Sequence, residues 1–337
     1  MKEIILALAF MASLSSCSQK KEDSKNKNNM EITSDNIVTK TIEQIKHYPQ
    51  EPIYYIYVAN SLCVYEVLVN DYPIHLNYEY QQLATPIYIN EAILKSGRQK
   101  ITYRLYPAPK EFNGGSDVFD GETTCEITVC KQDLKRSGSH EELIEDKLPT
   151  QEVQVGETGA QKVKQFIGKG QKYYEHTFYF DATVPYEIEG WSKGQDLRKI
   201  NSDSLKQAVL KFYNSRKRIV ENKDKDALAR QMFRGFKDQF IAQYRDAKYV
   251  KDAWNEFVST YDNPTYEFQP VENYKMEFFS YGQMVCLRQV SNDVRLREES
   301  ALWGKYKDEN GDTIADFHNL YLFIPEGKGL EDLQMIR

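Results

Sequence analysis

The chain has 337 residues, 41% hydrophobic, 28% charged and 13% aromatic, enough apolar surface for a core, which excludes collagen-like, coiled-coil and wholly disordered classes. Fifty acidic against 44 basic residues give a formal net charge of −6, which argues against a generally basic, nucleic-acid-binding surface. The 24 Tyr outnumber 16 Phe and 3 Trp, and tyrosine's strand propensity and amphipathic ring point to half-exposed antiparallel sheet.

Residues 1–16 read as a signal peptide. Lys2 and Glu3 precede the apolar run Ile4 to Ala12, which gives way to small residues before Cys17. The run is too short to cross a membrane, which takes about 20 apolar residues. Leu14-Ser15-Ser16-Cys17 resembles the lipobox of bacterial lipoproteins. That resemblance implies cleavage before Cys17, diacylation of its sulfur and acylation of the new α-amine. Several acyl chains anchor stably, at about 0.8 kcal/mol per buried CH₂. Lys21-Glu22-Asp23 is similar to the export signal of Bacteroidota surface lipoproteins, although a plain solvated linker accounts for the same residues. Residues 18–36 are rich in Lys, Asn, Asp and Ser, so a flexible tether is expected over 17–47. The address is the outer membrane, on its periplasmic or its surface side.

Residues 48–190 read mostly as strands. Ile53 to Val58 and Leu62 to Val69 are rich in β-branched and aromatic residues, Asn70-Asp71-Tyr72-Pro73 is a turn, and Pro86 to Ile89, Lys100 to Tyr106 and Thr123 to Cys130 follow. Strands at short intervals punctuated by Gly, Pro and Asn predict an antiparallel β-sandwich. The stretch from Tyr65 to Tyr106 is similar to the jelly-roll modules attached to carbohydrate-active enzymes, with Asp71 where those modules prefer Gly. A polar segment over 135–172 reads as a long loop. Tyr173 to Phe180 then completes the sandwich, and Trp191 marks the way out.

Residues 196–337 predict an α+β domain. Leu205, Val209, Phe212 and Val220 keep a helical period, as do Leu228, Met232, Phe236 and Phe240, then Val250, Trp254 and Tyr261. Asp224 or Asp226 suits an N-cap. After Pro264 the period shifts to strands over 274–279, 283–290, 301–306 and 313–324. Helices followed by an antiparallel meander resemble the NTF2-like folds, in which a curved sheet wraps a long helix.

No catalytic or metal motif is complete, and no cofactor is implied. His140-Glu141-Glu142-Leu143-Ile144 begins like a zinc-protease helix but has Ile144 where the second His must stand. Asp308, Asn310 and Asp312 alternate like a calcium loop, but Thr313 replaces the required Gly and Asn319 the required acid. Asp316 and His318 share a strand face, as an acid–base pair or as ordinary packing. In the envelope one disulfide is plausible, Cys63 with Cys125 or with Cys130, whereas Cys286 reads as a small buried hydrophobe. Trp191 is the tryptophan to examine for surface exposure. Arg216-Lys217-Arg218 reads as a solvated helix face or as a contact for an acidic partner.

These features predict a lipid-anchored, non-enzymatic envelope protein that binds a glycan or a protein. An immunity lipoprotein plugging a secreted toxin is one form of this. The alternative is an envelope glycan hydrolase whose carboxylate pair is assembled from distant positions. A cleft holding two carboxylates, one with a raised pKa, favours the enzyme, and an exposed aromatic patch favours binding.

Overall fold

The computed structural model describes residues 31–81, 83–156 and 161–337. Cys17 and the other features of the N-terminal signal and export motif lie outside the described residues. Helix α1 spans Ile37–Ile42, strand β1 Pro52–Ser61 and β2 Cys63–Val69. Leu62 alone joins β1 to β2, and its φ of 57° swings the chain from one sheet into another. Asn70 and Asp71, at φ of 53° and 63°, make the two-residue turn into β3, Tyr72–Asn77. Short polar side chains tolerate this left-handed backbone better than most. Here Asp71 does what Gly does not, its Oδ2 accepting the Tyr281 N–H at 2.8 Å, beside the backbone bond in which its carbonyl accepts the Ser280 N–H at 2.8 Å.

The strands that follow are β4 (Ile87–Tyr88), β5 (Gly97–Pro107), β6 (Thr124–Asp133), β7 (Glu141–Lys147), β8 (Thr150–Val155), β9 (Gln161–Phe166) and β10 (Tyr174–Ala182). They form two four-stranded antiparallel sheets, β4-β1-β6-β7 and β10-β5-β2-β3, and the hairpin β8-β9. Alternation decides the core: Tyr54, Ile56 and Val58 of β1 and Ile127 and Val129 of β6 share one cluster with Tyr65 and Val67 of β2 and Ile101, Tyr103 and Leu105 of β5. Strand β2 is buried along its whole length, because the C-terminal half covers its second face.

Two segments depart from the sequence reading. The expected loop over 135–172 instead contains β7, β8 and β9. Strand β7 lies at a sheet edge with mostly exposed side chains, held by the ladder to β6 and by the Lys147–Glu126 and Lys131–Glu141 pairs. Its two apolar residues, Leu143 and Ile144, are adjacent and half-buried against the core, so it carries no hydrophobic alternation, and charge is how edges are kept from pairing elsewhere. Hairpin β8-β9 is equally polar and is pinned by the buried Phe166 against Phe119 and Tyr174. The second departure is at 37–47, assigned to the tether by composition. Ile37 of α1 is fully buried with Val220, Leu228 and Trp254, Ser34 N–H donates to Asp226 at 2.8 Å, and Trp254 Nε1 donates to the Ser34 hydroxyl at 3.3 Å.

In the C-terminal half, α2 (Ser202–Glu221), α3 (Lys225–Ala242) and α4 (Ala247–Thr260) are each N-capped by a side chain: Asn201, Asp224 and Asp246 accept from Ser204, Ala227 and Tyr249 N–H at 3.0, 2.9 and 2.8 Å. Strands β11 (Glu267–Phe268), β12 (Tyr274–Phe279), β13 (Met284–Gln289), β14 (Trp303–Lys307), β15 (Thr313–Phe317), β16 (Leu322–Phe323) and β17 (Gln334–Met335) form the sheets β11-β14-β15 and β12-β13-β16-β17. Helix α2 lays Leu205, Val209 and Tyr213 on Val285, Leu287 and Leu322. The buried Tyr213 hydroxyl accepts the Leu287 N–H and donates to the Leu320 carbonyl. The result is a sheet-rich α+β fold.

Residues 32–337 form one contact unit, and its core crosses the boundary expected near residue 190: Ala242, Tyr244, Phe279, Met284 and Tyr321 belong to the same cluster as the N-terminal sheets. Across that boundary the buried Glu66 accepts from Arg288 at 2.6 Å and Arg104 meets Glu277 at 3.2 Å, and on the N-terminal side Glu66 also accepts from Arg104 at 3.0 Å.

Candidate functional site

Two features answer the signs set out above. The first is a tyrosine patch on the outer face of sheet β4-β1-β6-β7. Strand period places Tyr55 and Tyr57 outward while Tyr54 and Ile56 point to the core, and register sets Tyr88 of β4 opposite Tyr55. Tyr57 and Tyr88 are 38% and 46% exposed, whereas Tyr55 between them is 4% exposed. The Tyr55 ring meets that of Tyr57 edge-on at 5.7 Å and that of Tyr88 at 6.0 Å. Its hydroxyl lies 2.6 Å from His140 Nδ1, and burial raises its pKa. The patch thus offers exposed ring surface around a fixed centre, with the His140 imidazole and the Glu142 carboxylate beside it.

The second is a polar cleft of about 390 Å³ where β3 meets the C-terminal half, lined among others by Tyr72, His75, Glu91, Arg288, Glu299 and Tyr321. The Tyr72 ring stacks on Trp191 at 5.1 Å and meets Tyr321 edge-on at 5.4 Å. Burial, and then the Glu91 carboxylate, push its hydroxyl well above the ordinary range. Burial also raises the pKa of Glu91 against the pull of Arg337, and that of Glu299 against the pull of Arg288. No hydrogen bond or ion pair engages either carboxyl among the described residues. Burial keeps the His75 imidazole neutral by lowering its pKa. The Arg288 guanidinium is committed to Glu66. The cleft therefore holds two protonatable carboxyls beside tyrosine hydroxyls.

The residues singled out in the sequence are dispersed. Cys63 and Cys125 are brought together as free thiols: the neighbouring Cys63 thiol and then burial push the Cys125 pKa up, and Cys63 donates to the Thr124 carbonyl at 3.3 Å. Cys130 lies on the outer face behind Tyr55, and Cys286 is buried. Asp316 and His318 both reach the Tyr266 hydroxyl, at 2.7 and 2.8 Å, under the rings of Tyr261 and Phe268. His140 joins the tyrosine patch. Asp308 accepts from the Asn310 and Asp312 N–H groups, so its carboxylate is spent on the hairpin turn. Trp191 and Trp254 are both buried. Of the run Arg216-Lys217-Arg218, Arg216 is buried rather than solvated, with Nη2 on the Met335 sulfur at 2.8 Å. Sequence reasoning missed Glu91 and Glu299, which no motif distinguishes among 50 acids. The pair of exposed tyrosines was visible only as the Tyr excess. Among the described residues no group of three or more His, Cys, Asp or Glu is placed to hold a metal ion.

The chain matches no family model, and no curated protein and no solved structure is significantly similar to it.

Proposed function

We propose that this chain is a lipid-anchored lipoprotein of the bacterial outer membrane that binds a glycan on its tyrosine patch. The lipobox-like Leu14-Ser15-Ser16-Cys17 supports the address. No helix among the described residues is long and apolar enough to cross a membrane. In this reading the acyl chains on Cys17 are the anchor. The two four-stranded sheets are read as a β-sandwich, and helices α2 to α4 with their sheets as an NTF2-like arrangement. The observation that carries the binding reading is the exposure of Tyr57 and Tyr88 around Tyr55 on one sheet face. Sugar C–H faces stack on such rings, and the tyrosine hydroxyls and His140 supply polar contacts. The test is retention of envelope glycans by the soluble chain starting after Asp23. Replacing both Tyr57 and Tyr88 with Ala is expected to weaken retention about tenfold, since each ring contributes roughly 0.5–1.5 kcal/mol. Unchanged retention overturns the reading. A stoichiometric protein captured in place of glycans makes the protein the ligand, and a hydrolytic toxin as that protein makes the function immunity.

A second reading is favoured by Glu91 and Glu299 in the junction cleft. In a glycan hydrolase one protonated carboxyl donates to the glycosidic oxygen while the other, ionised, assists the attacking water or nucleophile. Shortening of the bound glycan during incubation, abolished by Glu91→Gln, supports this reading. Intact glycan recovered after prolonged incubation at mildly acidic pH rejects it.

A further inference from the structure

Arg297 is held in an unusual way for a cation on a loop. Its guanidinium lies 4.8 Å from the ring centroids of both Tyr78 and Tyr106. Cation–π contact with two rings leaves the N–H edge to make hydrogen bonds. Among the described residues no hydrogen bond or ion pair engages that edge. On the same loop Arg295 pairs with Asp293 at 2.7 Å and Glu298 with Lys275 at 2.8 Å, while the half-buried Glu299 carboxyl makes no ion pair with Arg297 among the described residues.

Arg297 opens onto a pocket of about 540 Å³ that Tyr106, Lys110, Ser116, Lys172, Ser291 and Asn292 also line. Two carboxylates share this lining. Asp117 is neutralised by Lys110, leaving Glu111 against Lys172 and Arg297. The pocket therefore presents surplus positive charge, in a chain whose net charge is −6. An arginine already seated against two touching rings, whose centroids are 5.6 Å apart, has met much of the ordering cost of binding before any ligand arrives. Its planar fork fits two oxygens of one carboxylate or sulfate.

We propose that this pocket binds an oxyanion carried on a sugar, a hexuronic acid carboxylate or a sulfate ester. Arg297 takes two of its oxygens, Lys172 adds charge, and Ser116, Ser291 and Asn292 meet the ring hydroxyls. The oxyanion follows from Arg297 itself; that it comes on a sugar rests on the glycan reading above.

Titration calorimetry on the soluble chain at low salt, with glucuronate, glucose 6-sulfate, inorganic sulfate and glucose, tests this. One of the two anionic sugars is expected to bind at least about tenfold more tightly than glucose, with Arg297→Gln removing that advantage and Arg297→Lys losing part of it. Lys172→Ala, an exposed position, is expected to weaken binding severalfold without changing the melting temperature, which keeps the test valid should Arg297→Gln misfold. Anionic sugars binding no better than glucose overturn the proposal, as does an undiminished advantage in a folded Arg297→Gln protein. Inorganic sulfate binding as tightly as glucose 6-sulfate overturns the sugar half. The Tyr57→Ala, Tyr88→Ala variant is expected to keep the anionic-sugar preference, so failure of the patch and failure of this pocket give different results.

Discussion

Glu91 and Glu299 show how one residue can carry a cost that its sequence neighbours do not. Each carboxyl is ionised in water at neutral pH, yet each lies in a cleft with no hydrogen-bond partner of its own among the described residues, and burial raises both pKa values. The folded chain then holds a proton over a pH range in which the unfolded chain has released it. The resulting stability is complete below the ordinary carboxyl range and is lost as pH rises through the raised folded value. Glu91→Gln is therefore expected to stabilise the protein at about pH 7 and to make little difference below about pH 4. Urea unfolding at the two pH values measures this, and an equal effect at both would show that burial imposes no charge penalty there. Asp71 is the opposite case, a residue in a strained left-handed backbone that is compensated by the Tyr281 N–H it accepts.

At the scale of elements, the segments that departed from expectation are those whose partners are distant in sequence. Strands β7, β8 and β9 are polar at most positions and carry no alternating stripe, so their structure comes from ladders and cross-strand ion pairs, with Leu143, Ile144 and Phe166 as isolated apolar anchors. Helix α1 is only six residues long and has no side-chain N-cap, too short to persist alone. It is held because Ile37 enters the cluster built by α2, α3 and α4. Ile37→Ala is expected to cost about 2–4 kcal/mol in chemical denaturation, the ordinary range for a large-to-small change in a core. A change within about 0.5 kcal/mol, typical of exposed positions, would return this segment to the tether.

At the scale of the molecule, the two halves are stitched by charges taken out of water. Glu66 and Arg288 are 2% and 3% exposed, and Glu66 also accepts from Arg104, which reaches Glu277. Such a pair adds little over a well-packed apolar contact, but removing one partner strands the other. Glu66→Ala is expected to cost about 3–5 kcal/mol. Tryptophan fluorescence and far-UV circular dichroism should still report one coincident unfolding transition, because the core as well as the ion pairs crosses the junction. Two separated transitions would show that the halves fold independently.

The sequence by itself determined the sheet-rich α+β class, the three main helices with an N-cap at Asp224 or Asp226 for the second, most strand positions and a turn within 70–73, which the structure narrows to an Asp224 cap and a turn at 70–71. These depend on periods of 2 and 3.6 residues, on caps and on turn chemistry, all set within a few positions of one another. Only the tertiary structure decided that the 135–172 segment is stranded, that 37–47 is docked, and that Trp191 and Arg216 are buried. It alone set Tyr88 beside Tyr55 and Tyr57, put Glu91 and Glu299 in one cleft, and seated Arg297 against the rings of Tyr78 and Tyr106. A side chain's identity is local, but its burial, its pKa and the vacancy of its hydrogen-bonding edge are set by groups tens to hundreds of positions away. Chain spacing does not encode those distances.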